Sequence, residues 1–307
     1  MAQFPKEQST DGSFARQEDA FRHWITEDAD AAFPPAAGRY HLYISLACPW
    51  AHRTLIVRHL LGLEDVISVT VADPVRDERG WAFRQGDGHS LDEVNGFRFL
   101  AEAYHATDAT FTGRITVPVL WDRETRSIVN NSEDDICRMF AHGFRQFHTR
   151  KCDLFPPALA DPQSTLSGYV YEKINNGVYS AGFATRQSAY DKAFSELFNA
   201  LDEMEERLSQ QPFLLGPAPM ETDWRLFCTL IRFDAVYHGH FKCNQRQIRN
   251  CPHLSLYLRR LYQQPGIAET VNFDHIKRHY YMTHEDINPS RIVPAGPDLS
   301  WLSVPAE

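Results

Sequence analysis

A strand–helix–strand pattern between residues 39 and 72 limits the possible folds of this chain more than any other feature. The segment RYHLYISL (39–46) is rich in aromatic and β-branched residues, which favours a strand. The segment CPWAHRTLIVRHLLGL (48–63) carries apolar residues at helical spacing, which favours a helix, and Gly62 is a plausible C-terminal stop for it. A second β-rich run, VISVTVA (66–72), follows. This order is typical of a small α/β domain.

The next residues extend this domain. After a turn-rich stretch with one helical patch at 97–105, the segments VPVLWD (117–122) and SIVNN (127–131) predict a β-hairpin. The segment SEDDICRMF (132–140) predicts a helix, because its leading serine is a favourable N-cap and its acids suit the positive end of the helix dipole. Together these elements predict an α/β domain with a mixed sheet.

The spacing of apolar residues changes beyond about residue 155. A stripe with helical spacing consists of Tyr190, Phe194, Leu197, Leu201, Met204 and Leu208. Two further segments, DWRLFCTLIRFDAVY (223–237) and PHLSLYLRRLYQ (252–263), also predict helices. We therefore expect an all-α second domain.

Charge, hydropathy and cysteine content exclude several classes of protein. The formal net charge of −9 argues against a nucleic-acid partner and against an anionic membrane surface. The sequence contains no run of about 18 apolar residues, and its polar N-terminus lacks the apolar stretch of a secretion signal. The six cysteines are scattered and form no C-x-x-C pair, which indicates reduced thiols in the cytoplasm.

Cys48 is the first candidate for a catalytic group, and the alternative is a small buried hydrophobic residue. It precedes Pro49, and proline is favoured at the first position of a helix. A cysteine at a helix N-terminus is stabilised as a thiolate by the helix dipole and the N–H groups that point at it. Ala51 stands where a dithiol motif would have its second cysteine. A disulfide within the motif is thus excluded, whereas a mixed disulfide with a small thiol is not.

The segment TVPVL gives a second, weaker signal. The pair Val117–Pro118 opens a strand after a long connection and resembles the cis-proline corner of thioredoxin-like folds, whose backbone lines the active-site thiol. The alternative is that Pro118 is simply the first residue of an edge strand.

Five segments, in this order, resemble the glutathionyl-hydroquinone reductases, which are the Xi-class glutathione transferases. They are RYHLYISLACPWAHRTLI, GRITVPVLWD, YEKINNGVYSAGFA, DWRLFCTLIRFDAVYHGHFKCN and FDHIKRHYYMTHEDINPSRIVPAGP. The resemblance implies a homodimer and the thiol-dependent reduction of glutathionyl-hydroquinones through a mixed disulfide at Cys48. It also implies a thioredoxin-like domain that binds the thiol (36–145) and an all-helical substrate domain (155–288). The few periodic signals in residues 1–35 predict an N-terminal extension on the surface or along a sheet edge, and the proline-rich residues 289–307 predict an irregular tail.

The resemblance also implies contacts to glutathione. Trp81, Arg114, Val117 and its neighbour Pro118 match the family's glutathione-binding positions, although Trp81 also fits ordinary core packing and Arg114 also fits an exposed surface arginine. Glutathione, or another low-molecular-weight thiol, is the expected cosubstrate, and no prosthetic group or metal is expected.

One pair departs from the family pattern. The family has Glu followed by Ser where this chain has Ser132 followed by Glu133, and Asp134 and Asp135 come next. The added carboxylates of Asp134 and Asp135 predict a more acidic site. Either the local backbone compensates for the reversal, or the physiological thiol is not glutathione.

Tyrosines in the helical domain match the family's quinone pocket. Tyr179 and the pair Tyr280–Tyr281 are the candidates, and Tyr280 is favoured within the pair. A phenol donates a hydrogen bond to a quinone oxygen and can transfer a proton. The alternative for each is packing in the domain core.

The predicted function is therefore that of a thiol oxidoreductase acting on a quinone-type aromatic conjugate. Two alternatives remain open, a general thiol transferase that acts on other conjugates or disulfides and a non-catalytic binder of aromatic ligands. A zinc site is not expected, because the cluster of His238, His240, Cys243, Cys251 and His253 lacks a common zinc spacing.

A helix cap also departs from the family pattern. Met220 stands where glutathione transferase folds have a serine or threonine cap, so Thr222 or Asp223 must supply the capping oxygen.

Overall fold

The computed structural model of this chain describes residues 5–28 and 30–306, which group into two units. The sheet unit comprises Glu18–Cys152 together with Asp274–His279. The described part of the helical unit comprises residues 5–17, 153–273 and 280–306.

A four-stranded mixed sheet forms the centre of the sheet unit. Its strands are β1 (Tyr40–Ile44), β2 (Ser68–Val71), β3 (Val119–Asp122) and β4 (Ser127–Asn130). The spatial order is β2-β1-β3-β4; β1 and β2 are parallel, and the other neighbouring pairs are antiparallel. Parallel neighbours need a crossover connection, which the helix between β1 and β2 provides. The predicted mixed sheet is confirmed.

Three helices accompany the sheet: α1 (Pro49–Leu60), α2 (Leu100–Thr107) and α3 (Glu133–His142). All three lie where the sequence predicts helices. The chain leaves α1 through Gly62, whose φ of +67° is a conformation that favours glycine and so ends the helix there.

Part of the N-terminal extension lies along the sheet edge. The His23 amide donates to the Val129 carbonyl at 3.0 Å, and the Asn131 amide donates to the Phe21 carbonyl at 3.0 Å. These bonds occupy backbone groups of β4, the end strand of the sheet, and of the residue that follows it, and so protect an edge that would otherwise be open to pairing.

The helical unit contains α4 (Ala160–Tyr169), α5 (Gly177–Gly182), α6 (Gln187–Gln210), α7 (Glu221–Arg232) and α8 (Pro252–Tyr262). Helix α9 (Phe273–Thr283) follows, and residues 280–283 of α9 belong to this unit. The predicted apolar stripe lies on α6, where Leu197, Leu201 and Met204 are buried. The predicted all-α second domain is confirmed.

The predicted continuous helix over 223–237 is wrong at its C-terminal end. Helix α7 ends at Arg232, and Phe233–Tyr237 forms a wider π-helical turn in which the His238 amide donates to the Phe233 carbonyl at 2.8 Å. In this turn the Asp234 carboxylate accepts the Ile248 amide at 2.6 Å, a long-range bond that apolar spacing does not reveal.

Asp223 supplies the capping oxygens at the start of α7. Its carboxylate accepts the Met220 amide at 2.8 Å and the Leu214 amide at 2.9 Å, whereas the Thr222 hydroxyl lies 2.6 Å from that of Ser167. Burial raises the pKa of Asp223 to about 6, despite these hydrogen bonds.

The described part of the C-terminal tail is largely irregular. Within residues 289–306 the regular structure is limited to a short 3₁₀ turn, Ser300–Ser303. Among the described residues, none of the helices combines the length and the apolar character that a membrane crossing requires.

Candidate active site

Cys48 occupies the N-cap position of α1, and Pro49 is the first helical residue. The backbone of Cys48 is extended (φ −77°, ψ 122°), and its carbonyl accepts the first bond of the helix from the His52 amide at 2.9 Å. The predicted helix start is confirmed. The positive end of the α1 dipole therefore lies at the thiol and favours the thiolate.

The Cys48 thiol contacts the corner that the sequence predicts. The peptide bond between Val117 and Pro118 is cis, and the Cys48 Sγ donates to the Val117 carbonyl oxygen at 3.6 Å. Cys48 is 9% exposed, so the thiol is largely enclosed but reaches the surface of the chain. The geometry orients the sulfur beside the backbone of the segment that leads into β3.

The segment that leads to this corner is anchored by α2 and by the residue that follows β4. The Tyr104 hydroxyl donates to the Thr116 carbonyl at 2.9 Å, and the Asn131 side-chain amide donates to the Thr116 hydroxyl at 3.3 Å. Arg114 lies two residues earlier and is half-buried. These bonds hold the backbone of Val117, and with it the partner of the Cys48 thiol.

Trp81 lies in the connection between β2 and α2 and is 4% exposed. Its ring stacks on the His279 ring at a centroid distance of 5.0 Å, and the Arg76 guanidinium lies 5.0 Å from the indole centroid. The His279 Nδ1 donates to the Pro74 carbonyl at 2.7 Å, because that oxygen can only accept. His279 and Arg76 were not singled out in the sequence, since neither stands near Trp81 in a recognisable motif.

Ser132 occupies the N-cap position of α3 and Glu133 begins that helix. Among the described residues, the Ser132 hydroxyl makes no capping hydrogen bond to α3. Its amide donates to the Asn130 side-chain oxygen at 2.7 Å. Ser132 therefore occupies the N-cap position, but its side chain does not cap the helix.

The acids near this helix start contact arginines, which offset part of the negative charge that the sequence predicts there. Arg53 on α1 is buried and contacts the carboxylates of both Glu133, at 3.2 Å, and Asp134. Asp135 accepts a hydrogen bond from Arg22 at 2.7 Å. Two arginine cations, one from α1 and one from the N-terminal extension, thus offset two of the three negative charges, and neither segment is close in the sequence.

Three tyrosines of the helical unit form a hydrogen-bonded cluster, which we call the phenol cluster: Tyr179, Tyr237 and Tyr280. The Tyr280 hydroxyl lies 2.5 Å from the Tyr179 hydroxyl and 2.9 Å from the Tyr237 hydroxyl. Tyr179 is 9% exposed, whereas Tyr280 is 1% exposed and Tyr237 is fully buried. Tyr179 is thus the member that reaches the surface of the chain.

Burial keeps the inner phenols protonated. It raises the pKa values of Tyr237 and Tyr280 well above the usual value near 10, and the neighbouring Tyr179 raises both further. The Arg232 cation lowers both, but to a smaller extent than burial raises them. At neutral pH the inner two hydroxyls are therefore hydrogen-bond donors.

Two π-helical turns precede or contain members of the phenol cluster. The turn Val170–Asn175 comes just before α5, which carries Tyr179, and the turn Phe233–Tyr237 ends at Tyr237. Such turns are frequent at functional sites. The sequence does not identify Tyr237 as a site residue, because an aromatic residue in a buried apolar helix is indistinguishable from core packing.

Tyr281 lies outside the phenol cluster. It is half-buried, its hydroxyl donates to the Ala235 carbonyl at 3.5 Å, and its ring contacts His240 at a centroid distance of 4.8 Å. Of the Tyr280–Tyr281 pair, it is therefore Tyr280 whose hydroxyl lies beside that of Tyr179.

The histidines and cysteines of the possible zinc cluster make separate contacts. The His240 Nε2 lies 3.2 Å from the His284 Nδ1, and the Cys251 Sγ accepts from the Arg246 Nε at 3.3 Å. Burial raises the pKa of Cys243 to about 12, which disfavours a thiolate. Across residues 5–28 and 30–306, no group of three or more histidines, cysteines or acids is arranged to hold a metal ion.

Comparison with known proteins identifies the family. The family model described as the glutathione S-transferase N-terminal domain matches residues 47–142, and the C-terminal domain model matches residues 187–260. The chain belongs to the glutathione transferase family. The first match covers Cys48, the Val117–Pro118 corner and Ser132, and the predicted thioredoxin-like domain is confirmed.

Individual relatives narrow the class of this glutathione transferase. It is 47% identical to the glutathionyl-hydroquinone reductase YqjG of Escherichia coli, over 94% of this chain and 90% of that protein. It is 45% identical to the glutathionyl-hydroquinone reductase PcpF of Sphingobium chlorophenolicum, over 94% of this chain and 91% of that protein. The resemblance of the five sequence segments is confirmed.

Solved structures of glutathione transferases agree with this assignment. A Xi-class glutathione transferase from Natrialba magadii matches with a TM-score of 0.94 and 50% identity, covering 98% of this chain and 92% of that one. The glutathione-bound structure of YqjG matches with a TM-score of 0.90 and 45% identity, covering 93% of this chain and 95% of that one.

Proposed function

We propose that this chain reduces glutathionyl-hydroquinones to hydroquinones through a mixed disulfide between Cys48 and glutathione. The observation that carries the proposal is the Cys48 thiol at the start of α1, with its Sγ 3.6 Å from the Val117 carbonyl oxygen. The names of YqjG and PcpF support the same reaction, because both are glutathionyl-hydroquinone reductases at 45–47% identity to this chain.

The first step breaks a carbon–sulfur bond. The Cys48 thiolate attacks the sulfur of the conjugate, and a sulfur–sulfur bond forms between Cys48 and glutathione. The electrons of the broken bond pass into the ring, which must be in its keto tautomer to accept them on oxygen as an enolate. Protonation of that oxygen gives the hydroquinone. Ordinary thioethers lack such an electron acceptor and are therefore not substrates.

A second glutathione completes the cycle. Its thiolate attacks the mixed disulfide, which releases glutathione disulfide and the Cys48 thiolate. Its thiol proton replaces the proton that the hydroquinone received. One conjugate and one glutathione thus give one hydroquinone and one disulfide. All the electrons come from thiols, so this scheme needs no prosthetic group and no metal.

We propose that glutathione binds beside Cys48 in the sheet unit. A guanidinium fork suits a carboxylate, and a helix start such as that of α3 suits an anionic group. The Ser132 hydroxyl makes no capping bond to α3, which supports a role toward a ligand. The proposed contacts are Trp81, Arg114, Val117, Pro118, Ser132 and Glu133.

We propose that Tyr179 and Tyr280 act on the oxygens of the quinone ring. Hydrogen-bond donors aimed at an enolate oxygen stabilise the transition state in which charge develops there. The burial of Tyr280 supports this role, because it keeps the phenol protonated. Tyr281 is a weaker candidate, since its hydroxyl donates to the Ala235 carbonyl.

The compartment and assembly are also proposals. The six cysteines are scattered and form no C-x-x-C pair, which supports a reducing compartment such as the cytoplasm. The Xi-class assignment supports a homodimer, which sedimentation of the purified protein at several concentrations tests directly.

The proposed reaction is tested by product analysis. The protein is incubated with a glutathionyl-hydroquinone and excess glutathione, and hydroquinone and glutathione disulfide are quantified by chromatography. Equal amounts of the two products support the proposal. Reduction of simple disulfides without release of hydroquinone would favour a general thiol transferase, and binding of the ring without turnover would favour a non-catalytic binder.

A further inference from the structure

The N-terminal segment packs against the helix that carries Tyr179. Gln8 and Phe14 form a backbone bridge, so the segment folds back on itself in a tight turn. The Gln8 side-chain amide donates to the Phe183 carbonyl at 3.0 Å, and the Thr185 amide donates to the Gly12 carbonyl at 3.1 Å. Phe183 ends α5, so these bonds fix the segment beside the phenol cluster.

Arg16 of this segment lies against Tyr179. Its guanidinium carbon lies 5.1 Å from the centroid of the Tyr179 ring. The Arg16 Nε donates to the Asn176 side-chain oxygen at 3.1 Å, and Asn176 immediately precedes α5. The guanidinium of Arg16 is thus held in place by the residue that precedes α5, the helix that carries Tyr179.

The surroundings of Tyr179 make a nearby cation effective. The Tyr179 ring contacts Phe183, Phe241, Tyr237 and Tyr280 at centroid distances of 5.3–6.5 Å. These aromatic groups exclude water, and electrostatic interactions are stronger where water is excluded. The ring face that lies near Arg16 also attracts a cation in its neutral state.

We propose that Arg16 is a positioning residue for the quinone step, which acts by stabilising the phenolate of Tyr179. This inference rests on the proposed function. In that step Tyr179 gives its hydroxyl proton to the enolate oxygen of the product and becomes a phenolate. The phenolate regains a proton when the second glutathione ionises to attack the mixed disulfide. Arg16 lowers the energy of the intermediate state, in which Tyr179 carries the negative charge.

A role of Arg16 in stabilising the Tyr179 phenolate affects the release of hydroquinone but not thiol exchange. Thiol exchange on a mixed disulfide of glutathione and a simple alkyl thiol expels a thiolate and needs no proton from Tyr179. Arg16 therefore assists the release of hydroquinone and has no effect on exchange with the simple disulfide.

The test compares Arg16→Gln with Arg16→Lys and with Arg186→Gln as a matched control. The Arg186 side chain is exposed and lies against Gly12 of the same N-terminal turn. Arg186→Gln therefore also removes a cation that contacts this turn. We expect Arg16→Gln to lower kcat for a glutathionyl-hydroquinone by about 10- to 100-fold, with KM within about 2-fold. Arg16→Lys keeps the charge but loses the planar guanidinium, so it should recover part of the lost kcat and exceed Arg16→Gln. All three variants should exchange the simple disulfide at the wild-type rate.

Each other outcome contradicts the inference. An unchanged kcat in Arg16→Gln removes the role of Arg16 while leaving the proposed function in place. Equal losses on both substrates, or no recovery with lysine, indicate that Arg16 only supports the fold, and thermal unfolding of each variant then shows a matching loss of stability. A wild-type protein that releases no hydroquinone removes the proposed function and this role of Arg16 with it.

Discussion

The hydroxyl groups of Tyr179 and Tyr280 lie 2.5 Å apart, although the two residues are separated by 101 positions in the sequence. Tyr280 is enclosed and hydrogen-bonded on both sides, by Tyr179 and by Tyr237. Tyr179 is the more exposed partner. A phenol that receives a hydrogen bond from another phenol is a better donor itself, because hydrogen bonds in chains polarise one another.

We predict that Tyr179→Phe and Tyr280→Phe slow the release of hydroquinone and leave thiol exchange on a simple mixed disulfide nearly unchanged. Loss of one donor to a developing oxyanion costs about 10²–10³ in rate. Tyr281→Phe is the control and should keep a rate close to that of the wild type. Equal losses on both substrates would show that the tyrosines support the fold or the thiol site.

The third phenol gives a prediction about stability. Tyr237→Phe removes a hydroxyl that lies 2.9 Å from that of Tyr280. We expect the free energy of unfolding to fall by about 1–2 kcal/mol, because a buried polar group loses its partner. Denaturant titration measures this change. A variant as stable as the wild type would mean that Tyr280 is fully satisfied without Tyr237.

The start of α3 gives a prediction about the thiol. The double change Ser132→Glu and Glu133→Ser restores the order of the family, and Arg53 keeps Asp134 as a partner. We expect a lower apparent KM for glutathione, measured at saturating conjugate. A KM that stays the same or rises would mean that the local backbone already presents the right groups, so that the reversal has no effect on recognition.

Asp223 gives a prediction about pH. Its pKa is about 6 in the folded chain, above the ordinary value of 3.8, so protonation favours the folded state. The resulting stabilisation is complete below about pH 4 and is lost as the pH rises through 6; it amounts to about 3 kcal/mol at most. The free energy of unfolding of the wild type, relative to that of Asp223→Asn, should therefore increase as the pH falls from 7.5 to 4.5. A difference independent of pH would show that Asp223 titrates normally.

The parts of the site that the sequence predicts are those fixed by local rules. Pro49 follows Cys48 directly, and proline at the first helical position needs no distant contact to indicate a helix start. The Val117–Pro118 corner is likewise a feature of two adjacent residues. Both predictions are confirmed in the structure.

The parts that the sequence does not predict depend on contacts between distant segments. Arg53 approaches Glu133 from another helix, and Arg16 approaches Tyr179 from the N-terminal segment. The π-helical turn that ends at Tyr237 interrupts an apolar pattern that is continuous in the sequence. The periodicity of apolar residues indicates which face of a segment is buried, but it does not identify the residues against which that face packs.

The central claim is that Cys48 is the nucleophile, and the most direct test is a single-turnover reaction stopped by acid. The protein is mixed with a limiting glutathionyl-hydroquinone without added thiol, and peptide mapping by mass spectrometry locates the glutathione. We predict one glutathione on Cys48 for each hydroquinone released, with the other five cysteines unlabelled, and no release by Cys48→Ser. Glutathione found mainly on another cysteine, or release at even a tenth of the wild-type rate by Cys48→Ser, would contradict the claim.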